Sequence, residues 1–112
     1  MNTFSERNLR RCESTNGFNH KLDSWSLSDW MTALTGEVGE AANIVKKLNR
    51  IRDGIPGNKQ EETKDQLEHD LCGELADIYI YLDLFAQRMG LDLHGHVEVK
   101  FQRTSRKIGY KE

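Results

Sequence analysis

From Leu27 onward the apolar residues return at alternating steps of four and three: Leu27, Met31, Leu34, Val38, Ala41, Val45 and Leu48. Only a helix gathers residues of that spacing on one side, because a strand would send them to both faces of a sheet. Ser26-Leu27-Ser28-Asp29 opens the run as a capping box with Asp in place of the usual Glu. The segment DGIPGNKQ, with two glycines and the chain's one proline, Pro56, closes it. The spacing therefore predicts an amphipathic helix of about 25 residues.

A second long helix is expected to start near Glu61 and to close at Gly90, with Leu67, Leu71, Leu75, Ile78, Leu82, Phe85 and Met89 on one stripe. Ile80 and Leu84 fall on its opposite side, so this helix is apolar on two faces and belongs at the centre or at an interface. Asp92 caps a further helix through Val97, Val99 and Phe101, and the first thirteen residues suggest a short helix. Between them STNGFNHKLD reads as an irregular, aromatic-bearing segment. No β-branched alternation, internal repeat or low-complexity tract interrupts this pattern. The expected fold is all-α: one domain over residues 1–112, an antiparallel helical bundle of four-helix type with two long central helices.

Composition adds an oligomer to that expectation. With 112 residues, 37% hydrophobic and a mean hydropathy of -0.72, a lone protomer is marginal, and a homodimer or homotetramer would bury the surface it lacks. No apolar run approaches the roughly 20 residues that span a bilayer. The opening MNTFSERNLRR lacks the apolar core of a secretory signal, so a cytoplasmic protein is expected. A net charge of -2 argues against a nucleic-acid polymer as partner, while the locally basic KFQRTSRKIGYK can meet the phosphates of a small ligand. Cys12 and Cys72 are far apart and form no CxxC, and the four histidines have neither zinc-finger nor HExxH spacing. His94 and His96 read as a surface pair at a helix start rather than as a metal chelate.

Two segments carry chemistry, ALTGEVGEAANIV and ELADIYIYLDLF. Each holds acids three apart, Glu37 with Glu40 and Glu74 with Asp77, so each pair projects from one helix face. Spacing alone says little, since roughly three such pairs arise by chance in a chain this acidic, and Glu62/Asp65 and Asp65/Glu68 also qualify. Surroundings separate them. Glu37 lies inside the arc of Trp30, Ala41, Ile44 and Leu48, with Glu40 at its edge; Glu74 lies beside Leu67 and Phe85, with Asp77 and Tyr81 adjacent. Carboxylates aimed at one seam require cations there. Oxygen-only ligands favour Mg²⁺, or Mn²⁺, over zinc, and a di-iron bundle would need Glu-x-x-His motifs that are absent. The bland reading is that the acids pair with Lys or Arg, or line a solvated flank.

Lys46, Lys47, Arg103, Arg106 and Lys107 are candidate phosphate contacts or parts of a charged surface. Asn43, one turn after Glu40, can contact sugar or phosphate, or serve as a surface amide. Phe18, His20, Trp25 and Trp30 cluster before the first acid pair and can wall a nucleobase. Trp30 suits the core equally, and Trp25, just before the cap, suits a hydrophobic staple.

GEVGEAAN, then ELADIYIYLDL, then the Lys-bearing VKFQRTSRK make the chain resemble the MazG-like, all-α nucleoside triphosphate pyrophosphohydrolases, including the dCTP pyrophosphatase and dimeric dUTPase branches, over roughly Trp25 to Tyr110. The resemblance implies a dimer or tetramer that uses Mg²⁺ to cut nucleoside triphosphates to monophosphate and pyrophosphate. Carried over by position, it implies Glu37, Glu40, Glu74 and Asp77 as metal ligands and catalytic residues, Tyr81 as a nucleotide contact and Lys100 as a phosphate ligand. Thr104 stands where the dCTP-pyrophosphatase-like branch tends to have Asn, and Gly36 and Gly73 stand where some members have a further Glu. Glu40, at the arc's edge, is the expected general base. The other function class compatible with the chain is a non-catalytic helical oligomerisation or regulatory module that binds nucleotide or a protein partner.

Overall fold

The computed structural model describes residues 3–112. Four α-helices follow in order, α1 Thr3–Glu13, α2 Leu27–Asp53, α3 Lys64–Arg88 and α4 Leu93–Ile108, with a single 3₁₀ turn at Leu22–Ser24 before α2. No strand occurs among the described residues. The chain divides into two compact units, Ser24–Leu82 and a second made of Met1–Asp23 with Asp83–Glu112.

In the first unit α2 and α3 pack together. Local chemistry sets the ends of α2. Ser26 Oγ accepts from the Asp29 amide at 3.1 Å while Asp29 Oδ2 accepts from the Ser26 amide at 3.0 Å, closing the capping box. Trp25, the residue before the cap, meets Trp30, four residues into the helix, edge to face with centroids 4.8 Å apart. That contact is the hydrophobic staple. At the other end Gly54 adopts φ 66°, and the Gly54 and Ile55 amides close on Ile51 O and Arg50 O. α3 starts three residues later than expected. Thr63 supplies the cap, its Oγ1 accepting from the Gln66 amide at 3.2 Å.

Trp30 and Leu67, each 2% exposed, and Ala41 anchor the interior of this unit. The expected apolar stripe on α2 only partly turns inward. Ala41 is buried and Leu34 and Leu48 are half-buried, but Leu27, Met31, Val38 and Val45 remain exposed, as do Leu75 and Leu82 on α3. On the Trp30 side of the stripe the helix meets α3, the Trp30 ring lying 6.5 Å from that of Tyr81, whereas the residues one step round the helix stay open to solvent. Val38, Val45, Leu71, Leu75 and Ile78 line an open apolar groove of about 720 Å³.

The second unit contains α1, the loop after it, the last turns of α3 from Asp83 and α4. Asp83 is buried and accepts from Ser5 Oγ, from Asn8 Nδ2 at 2.9 Å and from Gln87 Nε2 at 2.8 Å. Three donors thus tie α1 to α3. After α1 the chain doubles back, the Phe18 amide donating to Arg11 O; a Cβ on Gly17 would lie 2.1 Å from that oxygen, so only glycine fits. Asp92 caps α4, accepting from the Gly95 amide at 3.3 Å. Leu84 is buried and Ile80 half-buried, so α3 uses the second apolar face expected of it. On α4, Val97, Val99 and Phe101 are exposed.

Candidate metal centre

Within the Ser24–Leu82 unit α2 and α3 present their acids to one another. Carboxylate oxygens of Glu37, Glu74 and Asp77 all lie within 4.8 Å of one another. Glu37 and Glu74 are half-buried and Asp77 is exposed, so the cluster opens to solvent on one side. Glu40 is exposed beside this group, near enough for its charge to act on both Glu37 and Glu74. Three of the four acids read from the sequence therefore come together, with Glu40 beside them.

Their electrostatics are unfavourable as they stand. One oxygen of Glu37 and one of Glu74, Oε2 in each, are buried without any hydrogen-bond partner. Burial, followed by the charges of Glu40, Asp77 and Glu74, pushes the Glu37 carboxyl above the ordinary glutamate range. Glu74 is pushed up as well, first by burial and then by the hydrogen bond and charge of Glu40 and the charges of Asp77 and Asp70. No ion pair to these acids occurs among the described residues. Buried oxygens lacking donors, on neighbouring carboxylates lacking a counter-charge, suit a hard divalent cation.

The remaining candidates are distributed unevenly. Tyr81 is half-buried, its ring 6.5 Å from that of Trp30. Trp30, at 2% exposure, has no open face for a base and serves the interior. Trp25 is half-buried in the staple. Asn43 is exposed on α2. Lys47 does not stand free: its Nζ is paired with Glu62 Oε2 at 2.5 Å. That bond, ahead of one from the Lys59 amide, pulls the Glu62 carboxyl below its ordinary range. Lys100 and Thr104 are exposed on α4, and His20 is half-buried in the loop after α1; all three belong to the second unit. Phe18 lies in that loop beneath the Arg11 guanidinium, 5.3 Å from its ring centroid. His94 and His96 are exposed at the start of α4, and Cys12 and Cys72 are free thiols.

Two acidic residues escape the sequence reading. Asp83 is the one charged residue within IYIYLDLFA, and its isolation there was a legible sign of a buried role. Glu62 was considered only as part of a chance acid pair, and nothing local signals its bond to a lysine 15 residues earlier. No known protein family, curated protein or solved structure matches the chain. No helix among the described residues is long and apolar enough to cross a membrane.

Proposed function

We propose that the protein is a Mg²⁺-dependent nucleoside triphosphate pyrophosphohydrolase of MazG-like type, releasing monophosphate and pyrophosphate. The observation carrying this reading is the pair of donorless buried oxygens on Glu37 and Glu74, set against Asp77 with no cation among their neighbours. Glu37, Glu40, Glu74 and Asp77 would hold the metal. Mg²⁺ bound there supplies the positive charge that an anionic triphosphate requires and acidifies the attacking water. Mn²⁺ fits the same oxygen set.

The chain's own residues then divide the work. Glu37 and Glu74, turned toward the interior, hold position, while exposed Glu40 leans to solvent and accepts the proton of the attacking water as general base. Attack at the α-phosphorus breaks its bond to the bridging oxygen and leaves pyrophosphate. Tyr81, Asn43 and Trp25, in the same unit as the acids, contact the nucleotide. The exposed apolar residues of α2 and α3 support a homodimer or homotetramer. They equally support the second reading, a helical oligomerisation or regulatory module without turnover.

A panel of deoxy- and ribonucleoside triphosphates, assayed for pyrophosphate with and without Mg²⁺, separates the two. Metal-dependent release is the expected result. No release from any nucleotide, together with a melting temperature indifferent to Mg²⁺, leaves only the non-catalytic module.

A further inference from the structure

The segment between α2 and α3 is fastened to α2 by one small polar cluster. Asn58 Nδ2 donates to the carbonyl of Lys47 at 2.8 Å, and the Lys59 amide donates to Glu62 Oε1 at 3.1 Å. The other oxygen of Glu62 takes the ammonium of Lys47, in a pair whose side chains are 27% and 18% exposed. Arg50, one turn beyond Lys47, reaches Asn58 Oδ1 only at 3.4 Å, a long bond that leaves most of its donors uncommitted. Lys47 thus spends its cationic end on a single carboxylate from the loop, while Arg50, one turn further on, touches only Asn58.

That position lies in line with the acidic cluster. Lys47 follows Glu40 by seven residues, which puts it on the same face of α2 and about 10 Å further along the axis. A polyphosphate chain and a lysine stem together span such a distance. We propose that Glu62 is an internal stand-in for a phosphate group: a polyphosphate takes over Lys47 and recruits the spare donors of Arg50, Glu62 is displaced, and the loop over residues 54–63 loses its ion pair to α2. Glu62 is then a positioning residue that keeps Lys47 aimed while no anion is bound. The exchange is favourable because a phosphate brings more charge and more acceptor oxygens than a carboxylate, whereas a partly solvated ion pair holds weakly.

This inference rests on the pyrophosphohydrolase reading only for the origin of the anion, either the β,γ end of a bound triphosphate or released pyrophosphate. Inorganic pyrophosphate without metal is the first probe, and an α,β-imido nucleoside triphosphate with Mg²⁺ the second. Pyrophosphate is expected to speed amide exchange at Lys59 by about tenfold in the unmutated chain, because that amide loses its acceptor. Glu62→Gln is expected to bind pyrophosphate about fivefold tighter, having removed the competing charge, and Lys47→Ala to abolish both effects. If pyrophosphate fails to bind, or binds with Lys59 exchange unchanged, or binds no tighter to Glu62→Gln, the stand-in role is wrong. Response to the imido nucleotide alone assigns the anion to bound substrate; response to both extends it to product. Loop release by pyrophosphate in a chain that cuts no nucleotide would keep the anion site and discard the hydrolase reading, while turnover with an unresponsive loop would do the reverse.

Discussion

Two sets of carboxylates sit on α3 nine residues apart, and they have opposite fates. Asp83 is the more deeply buried, yet Ser5, Asn8 and Gln87 satisfy it with hydrogen bonds. Glu74 is less buried and faces Glu37, Glu40 and Asp77, with an oxygen that finds no donor. The surroundings match: the Ser24–Leu82 unit carries six Lys and Arg against eleven Asp and Glu, the other unit ten against seven. Burial alone therefore does not mark a functional acid. Unsatisfied acceptors among like charges do, since a buried group whose bonds are complete has nothing left to offer a ligand.

The contrast breaks most decisively at the acids themselves. Glu74→Gln or Asp77→Asn should abolish pyrophosphate release with the helical circular dichroism unchanged; full activity in both variants removes this metal site. Asp83→Ala should behave in the opposite way, losing about 3 kcal/mol in urea unfolding because three hydrogen bonds to a buried carboxylate disappear, while Mg²⁺ still stabilises what remains folded. Were Asp83→Ala to lose the Mg²⁺ response and keep its stability, the two sets of acids would have been assigned the wrong way round.

Acid titration sharpens the same comparison. Because Glu37 and Glu74 have raised values, the folded chain holds protons that the unfolded chain has released. The contribution of these two carboxyls to the stability of the metal-free protein is therefore fullest at or below the ordinary glutamate value near 4.5 and is lost as pH rises through the raised ones. Mg²⁺, at a hundredfold excess over its Kd, should return about 2.7 kcal/mol at pH 7.5, and much less at pH 5, where protons compete for the same oxygens. Thermal melts at both values, with and without metal, check this. A smaller effect tests the frame that presents the acids: Ser26→Ala should cost about 1 kcal/mol through loss of the α2 cap, with the metal response intact.

Helices with local punctuation were legible in the sequence. The Ser26–Asp29 box, the Gly54 stop and the Asp92 cap act through neighbours a few residues away, so the chain spells them out. The start of α3 falls later than the apolar pattern suggests because Thr63 caps it, while the pairing of Glu62 with Lys47 is a contact across a loop that no periodicity encodes. The meeting of Glu37 with Glu74 followed from their place among apolar residues on two helices that pack together. What periodicity could not tell was how much of each apolar stripe one chain covers. Ala41 and Val45, four residues apart on α2, are read identically by pattern, yet one is buried and the other exposed. That outcome depends on the angle at which a second helix arrives, not on spacing.

Gly36, Gly39 and Gly73 lie inside α2 and α3, each next to or one residue removed from an acid of the cluster, and a methyl group at any of them would meet nothing within 4 Å. Each exacts about 1 kcal/mol of helix stability relative to alanine, although the fold has room for the larger residue. The turns that carry the carboxylates therefore hold their helical form with less intrinsic preference than alanine would give them. Replacing any of the three with alanine is expected to raise the melting point by adding helix preference where there is already room for the methyl group.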